Sequence, residues 1–248
     1  MSMPNDVNDP PVVLNPDLDV AGLKDRFAET GRLQISDALH PAAAERLHQC
    51  LMQEMPWMLA YNEGSESKYL RKEDMARMSP QDQGAFMQKI FAGAAHGFQF
   101  VYLDFPVSGT ANIEGQRKFY THEVLKFLGG EAFQALLREL TGYDKPLNVD
   151  SHATCFQAGH FLTNHNDLVT RDDPRVFAYV VNMTKDWRPD WGAKTEFFDD
   201  KGNVIEAFTP MFNTITIFRV PQPHSVTFVP PFCPARRVAM SGWFFRPD

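Results

Sequence analysis

The chain of 248 residues is long enough to bury a sizeable apolar interior in one large all-β or α/β unit, or in a β core with helical additions. A formal net charge of −7 leaves no overall basic excess to neutralise phosphates, which argues against nucleic acid as a partner. Cys50, Cys155 and Cys233 are widely spaced without a Cys-x-x-Cys pair, so three reduced, buried thiols are expected rather than a disulfide framework or a thiolate zinc site.

The first stretch, "MSMPNDVNDPPVVLNPDLD", is rich in Pro and Asp and has neither a basic n-region nor an apolar run. It reads as a loose arm over residues 1–20, with no signal peptide and no membrane span, and the expected compartment is the cytoplasm. Next, "DVAGLKDRFAET", "HPAAAERLHQCLMQEM", "GQRKFYTHEVLKFLGG" and "EAFQALLRELTGY" carry apolar residues at helical spacing, with Gly129–Gly130 and Gly142 placed as helix stops. Two stretches in this half, "RLQISDAL" and "GFQFVYLDFPV", read instead as strands. After residue 146 short strand-like runs take over: "SHATCFQAG", "RVFAYVVNM", "TEFFDDKGNVIEAF", "TITIFRV", "HSVTFV" and "RRVAMSGWFF". In the third, "DDKGN" is a hairpin turn, with Lys201–Gly202 supplying the positive φ. No internal repeat or low-complexity tract is present. The fold class expected is mainly β with N-terminal helices (α+β), a double-stranded β-helix or jelly roll with helices packed on one sheet. Residues 21–248 form one domain in this reading, 21–145 as mostly helical support and 146–248 as the core with the site.

Within "HFLTNHNDLV", His165 and Asp167 place an imidazole and a carboxylate two positions apart. Such a pair is common by chance and by itself describes a polar turn equally well. A third ligand changes the reading. His224 ends one strand and opens another, whereas His40, His48, His96, His122, His152 and His160 lie in the helical half or ahead of the motif. Two histidines and one aspartate from separate strands make a facial triad that leaves adjacent positions open on a ferrous ion, although a catalytic zinc uses the same ligand types. Further along, period-2 alternation puts Arg237, Ala239 and Ser241 on one strand face and Arg236, Val238 and Met240 on the other. A guanidinium between small side chains beside a metal is a bidentate anchor for a carboxylate. A ligand that chelates iron and ends in a carboxylate is 2-oxoglutarate.

In order and spacing, "FQAGHFLTNHND", "NMTKDWRPDWGAKTEFF", "PHSVTFV" and "RVAMSGWFF" resemble the 2-oxoglutarate and Fe(II)-dependent dioxygenase superfamily, in particular its prolyl-hydroxylase-like branch. The resemblance implies that His165, Asp167 and His224 bind Fe(II) and that Arg237 binds the distal carboxylate of 2-oxoglutarate, with O2 as the other cosubstrate. The chain departs from that branch at Phe156, where tyrosine is usual, at Gly192–Ala193 in place of Gly-Gly, at Lys194 where an acid is common, and at Ala239 where serine often joins the arginine. Asn182 and Thr195 are then the polar residues expected to compensate at the cosubstrate site, with Phe156 and Ser241 as further contacts.

Trp187, Trp191 and Trp243 are read as packing residues, and "RDDPR" as a charged loop or a lid. "RFAETGRLQISDALHPAAAERLHQCL" loosely resembles the opening of such enzymes, while residues 55–110 match nothing and are where substrate contacts would lie. The implied reaction is hydroxylation of an unactivated C–H bond in a peptidyl or free amino acid, proline first among them. A small-metabolite substrate and a non-catalytic metal- or ligand-sensing module are the alternatives. Nucleic-acid demethylation is disfavoured by the acidic balance and by the absence of a second arginine in "RVAMSGWFF". Oligomeric state is left open, with a homodimer as one outcome.

Overall fold

The computed structural model describes residues 9–64 and 66–247. The arm expected over residues 1–20 begins outside the described residues, and from Asp9 onward it is fastened to the body. Arg46 pairs with Asp9 at 2.6 Å, the Tyr120 hydroxyl donates to the Pro10 carbonyl at 2.7 Å, and Leu14 bridges Leu39.

The N-terminal half runs α1 (Val20–Thr30), β1 (Arg32–Ile35), α2 (Pro41–Gln53), β2 (Met58–Glu63), β3 (Glu66–Arg71), α3 (Lys72–Arg77), α4 (Pro80–Ala94), β4 (Phe100–Phe105), α5 (Val107–Ala111), α6 (Tyr120–Leu128) and α7 (Glu131–Thr141). The expected helix stops hold. Gly129 caps α6, and Gly142 caps α7 in the left-handed region at φ +70°, where a side chain would be strained.

The C-terminal half is β5 (Asn148–Val149), β6 (His152–Phe156), β7 (Phe161–His165), β8 (Arg175–Asn182), a 3-10 turn at Pro189–Trp191, β9 (Thr195–Phe198), β10 (Val204–Phe208), β11 (Thr214–Arg219), β12 (His224–Val226) and β13 (Arg237–Phe245). The turn between β9 and β10 forms where expected. Gly202 alone takes the positive φ, at +82°, and the Asp199 carboxylate accepts from the amides of Lys201 and Asn203.

Residues 58–94 differ from the expected helical support. A β2–β3 hairpin pairs Met58 through Glu63 with Arg71 through Glu66, and two further helices follow. The hairpin was hidden because β3 lies on the surface and carries "ESKYLR", which has no apolar alternation to read.

The strands run β1-β11-β8-β13-β6-β4-β7-β12-β9-β10. Midway along this antiparallel path β4 pairs through its C-terminal residues with β6 and through its N-terminal residues with β7, while β2 pairs with it as well. The two ends of the path are tied by side chains: Glu206 on β10 binds Arg32 on β1 at 2.6 Å and also Arg26 on α1. The result is a nearly closed jelly roll.

Strand alternation separates the core from the cavity. Val238, Met240 and Phe244 of β13, Phe177, Tyr179 and Val181 of β8, and Ile215 and Ile217 of β11 form one buried cluster with Phe27, Leu47, Phe133 and Leu137 from the helices. The alternate residues turn inward. Among the described residues Cys50, Cys155 and Cys233 are free and buried, and no helix is long and apolar enough to cross a membrane.

Candidate metal and cosubstrate site

His165 ends β7 and His224 opens β12, and the antiparallel pairing of these strands sets the two residues directly opposite each other. Their ring centroids lie 4.1 Å apart. Asp167 follows in a turn with φ +67°, a conformation that aspartate tolerates better than most side chains. Arg175 holds the turn by donating to the Asp167 carbonyl at 2.6 Å. The carboxylate thereby reaches both imidazoles, Oδ1 3.4 Å from Nε2 of His165 and Oδ2 3.6 Å from Nε2 of His224. Ligand atoms of the three residues all lie within 4.8 Å of one another, a set able to hold one metal ion.

Both imidazoles are oriented in the same way. Nδ1 of His165 donates to the Thr163 carbonyl at 2.9 Å and Nδ1 of His224 to the Gln222 carbonyl at 2.8 Å. A carbonyl only accepts, so Nδ1 carries the proton and Nε2 keeps its lone pair for a metal. Burial, reinforced by the His165 charge, pushes His224 down to about 4 and keeps it neutral at ordinary pH. For Asp167 burial works the other way, but the two neighbouring histidines outweigh it and hold the carboxyl below its usual range. Neutral imidazoles and an ionised carboxylate are the states a metal requires.

A cavity of about 900 Å3 opens beside the triad. Arg237 lies in its wall, 3% exposed. Its Nη1 donates to the Ala193 carbonyl at 2.9 Å and Nη2 contacts Asn182 Oδ1 at 3.4 Å, while Nε has no partner. The guanidinium carbon sits 5.2 Å over the Phe156 ring. Burial alone pushes this arginine down to about 10, with no carboxylate near enough to oppose it. A buried cation without a counter-ion is costly, and a ligand carboxylate is the group that would offset it. The donor set therefore fits 2-oxoglutarate, and the triad beside it fits Fe(II).

Gly192 explains how Ala193 reaches Arg237. At φ +67°, a Cβ on Gly192 would lie 2.0 Å from the Phe228 carbonyl oxygen, so only glycine lets the loop approach β12 this closely. Trp187 donates to the Gly192 carbonyl at 3.0 Å and, with Trp191, packs on the cluster of Phe156, Val226 and Val229. Trp243 is placed otherwise than read from the sequence: it lines the cavity, with the Arg175 guanidinium 4.1 Å over its ring. The "RDDPR" segment is pinned, since the Asp173 carboxylate accepts from the amides of Val169 and Arg175.

Among the expected cosubstrate contacts, Phe156, Thr195, Ser241 and Arg237 line the cavity. Asn182 sits behind Arg237 and touches the guanidinium rather than the open space, because that side chain also reaches Thr214. Ser241 lies four residues along β13 from Arg237, opposite His152 rather than Phe156, and so at the other end of the cavity wall. Arg236 turns away from the cavity and donates to the Met52 carbonyl at 3.3 Å.

Sequence reasoning missed Tyr102 and the pair His152–Asp104. The Tyr102 ring stacks on Phe156 at 5.0 Å, and burial, with Asp104 adding to it, holds its phenol above the usual range and so protonated. His152 had been set aside with the histidines ahead of the motif, yet it lines the cavity. Ser67, Tyr69, Phe98 and Phe100 from the unmatched segment 55–110 also contribute to the wall, which is where substrate contacts were expected.

Two histidines and a carboxylate at the mouth of a jelly roll define the class of mononuclear non-haem iron oxygenases. Residues 151–245, which carry all three ligands and Arg237, match the 2OG-Fe(II) oxygenase superfamily. This match falls on the segment that holds the site, and together with the neighbouring folds it supports a 2-oxoglutarate- and Fe(II)-dependent dioxygenase with a prolyl-hydroxylase-like fold. No curated protein matches it. Among solved structures, a Pseudomonas putida prolyl-4-hydroxylase is similar at 16% identity and TM-score 0.57, covering 92% of this chain and 100% of that one. A Trichoplax adhaerens prolyl hydroxylase, solved with a hypoxia inducible factor oxygen degradation domain peptide, is similar at 15% identity and TM-score 0.58, covering 91% and 88%. A 2OG-Fe(II) oxygenase family oxidoreductase from Burkholderia pseudomallei reaches TM-score 0.61 at 12% identity, covering 95% and 94%. At such identities these likenesses speak to the fold.

Proposed function

We propose that residues 21–248 act as one oxygenase domain that hydroxylates an unactivated C–H bond of an amino acid, free or within a peptide, with proline the first candidate. The observation that carries this reading is Arg237, a buried cation without a counter-ion in the same cavity wall as the triad. In it, His165, Asp167 and His224 hold Fe(II), and Arg237 holds the distal carboxylate of 2-oxoglutarate. When bound, these groups supply the oxidising power, reducing dioxygen as 2-oxoglutarate loses CO2 to become succinate and C–H becomes C–OH. The protein's share is to orient and to exclude water. Asn182 and Ala193 fix the guanidinium, Phe156 and Tyr102 make an apolar wall beside it, and the side chains of Tyr69, Phe98, Leu168 and Val169 form a partly apolar rim where a substrate enters. The prolyl hydroxylase neighbours support an amino-acid substrate by analogy of fold.

The test is substrate-stimulated succinate formation coupled to oxygen uptake, with peptides, free amino acids and unrelated metabolites as the panel. Stimulation by amino acids or peptides is the expected result. Stimulation by unrelated metabolites alone would favour the small-metabolite reading. Iron and 2-oxoglutarate binding without any turnover would favour a sensing module.

A further inference from the structure

β6 turns His152, Thr154 and Phe156 to the cavity, and β13 faces them with Ser241, Ala239 and Arg237 in that register. His152 and Arg237 thus mark opposite ends of the wall, four strand positions apart, or roughly 13 Å. The five carbons of 2-oxoglutarate, at about 1.5 Å per bond, fall well short of that span. With 2-oxoglutarate on Arg237, His152 is thus left for a second molecule.

The imidazole is held from behind. Its Nδ1 donates to both oxygens of Asp104, at 3.0 and 3.2 Å, and Asp104 is 1% exposed. Nε2 of His152 has no protein partner among the described residues, and the side chain is one-third exposed to the cavity. Burying a carboxylate between strands is expensive, and an apolar pair of similar size would join β4 to β6 at less cost. What the pair supplies instead, once the imidazole is protonated, is a fixed N–H donor in an apolar wall. Although the chain carries a net charge of −7, the cavity is lined by Arg175, Arg237 and His152 and by a single carboxylate, that of the metal ligand Asp167.

We propose that His152, positioned by Asp104, binds the free carboxylate of the substrate, so that the enzyme acts on a free amino acid or another small carboxylic acid and not on a residue inside a peptide. This rests on the oxygenase reading above and deepens it. The pair also gives the contact a pH dependence. Burial disfavours the His152 charge, but the hydrogen bond and charge of Asp104, helped by Asp150, outweigh it and hold the imidazole above its usual range. Tyr69 and Tyr102, both influenced by Asp104, are the other titratable groups around the pair, and both stay neutral in the range where His152 titrates. Acid binding is therefore strongest below that titration and fades as pH rises through it.

The test uses the full chain loaded anaerobically with Fe(II) and 2-oxoglutarate. The probes are the common free amino acids, the same residues as C-terminal amides, and the same residues inside short peptides. Binding is read by ligand-observed NMR and turnover, once air is admitted, by succinate. At least one free acid should bind and turn over, with its amide and peptide counterparts roughly tenfold or more weaker, as loss of a charge-assisted hydrogen bond implies. His152→Gln should weaken that acid by a similar factor and abolish the pH dependence while leaving the 2-oxoglutarate titration unchanged. Asp104→Asn, a second variant, should move the pH dependence downward. Equal binding of acids and amides, no acid binding, or an unaltered His152→Gln would overturn the proposal. Failure of the oxygenase reading shows separately, as no charge-transfer absorption when 2-oxoglutarate meets the ferrous protein.

Discussion

His165 and His224 stand opposite each other across the β7–β12 pairing, and each spends Nδ1 on the carbonyl two residues before it, Thr163 and Gln222. Two strands running in opposite directions thus deliver the same imidazole orientation, with both Nε2 atoms aimed at Asp167. The site is preorganised by backbone, which is why its ligands can be tested one at a time.

His165→Ala or His224→Ala should each lower Fe(II) stoichiometry to near zero at micromolar iron, because two ligands hold a labile ion poorly. Asp167→Asn should weaken binding yet leave the fold intact, since asparagine also tolerates φ +67°. Calorimetric titration with Fe(II) under argon, with circular dichroism as the folding control, checks all three. Full iron stoichiometry in both histidine variants would remove the triad assignment.

His160 makes a prediction about acid stability. It is 4% exposed, its Nδ1 is unpartnered, and burial pushes it from 6.5 down to about 4. The folded state therefore holds it neutral while the unfolded state takes up a proton below 6.5. Stability should fall as pH drops from about 6.5 to about 4 and then level off, by about 3 kcal/mol from this residue. Urea midpoints of the apo protein measured across that range should fall less steeply in His160→Gln, with His224 supplying the remaining slope, and an unchanged slope would show that His160 is not responsible.

Much of the site was legible because its chemistry sits in short spacings. His165 and Asp167 are two apart, and the alternation of β13 separates Arg237 from Arg236 as strand geometry requires. His152–Asp104 and the Tyr102–Phe156 stack were not legible, because each joins β4 to β6 across roughly fifty residues of helix and loop, and that pairing is a consequence of sheet order. The surface hairpin β2–β3 was lost for a different reason: its outer strand has no buried face. Ser241 was assigned to the right face but the wrong end, since a face is read from parity and a position along it from register.

The stack of Tyr102 on Phe156 bears on the hydroxyl that phenylalanine lacks. Tyr102 lines the same cavity from the neighbouring strand, which makes its phenol a candidate donor to the cosubstrate. Tyr102→Phe should weaken 2-oxoglutarate by the worth of one hydrogen bond to a charged acceptor, roughly 1.5–3 kcal/mol. Phe156→Tyr in that background should recover part of it. An unchanged dissociation constant in Tyr102→Phe would show that the phenol serves packing alone.

The most direct test of the account is the titration of 2-oxoglutarate into the anaerobic ferrous protein, followed by its charge-transfer absorption, in wild type, Arg237→Ala and Arg236→Ala. The buried Arg237 faces the cavity and lacks a protein counter-ion, whereas Arg236 reaches the Met52 carbonyl on the far side of the sheet. Arg237→Ala should weaken binding by roughly 3–5 kcal/mol, the cost of leaving a buried carboxylate unpaired, and Arg236→Ala should leave it within error of wild type. Undiminished binding in Arg237→Ala, or a loss confined to Arg236→Ala, would contradict the assignment of this cavity to 2-oxoglutarate.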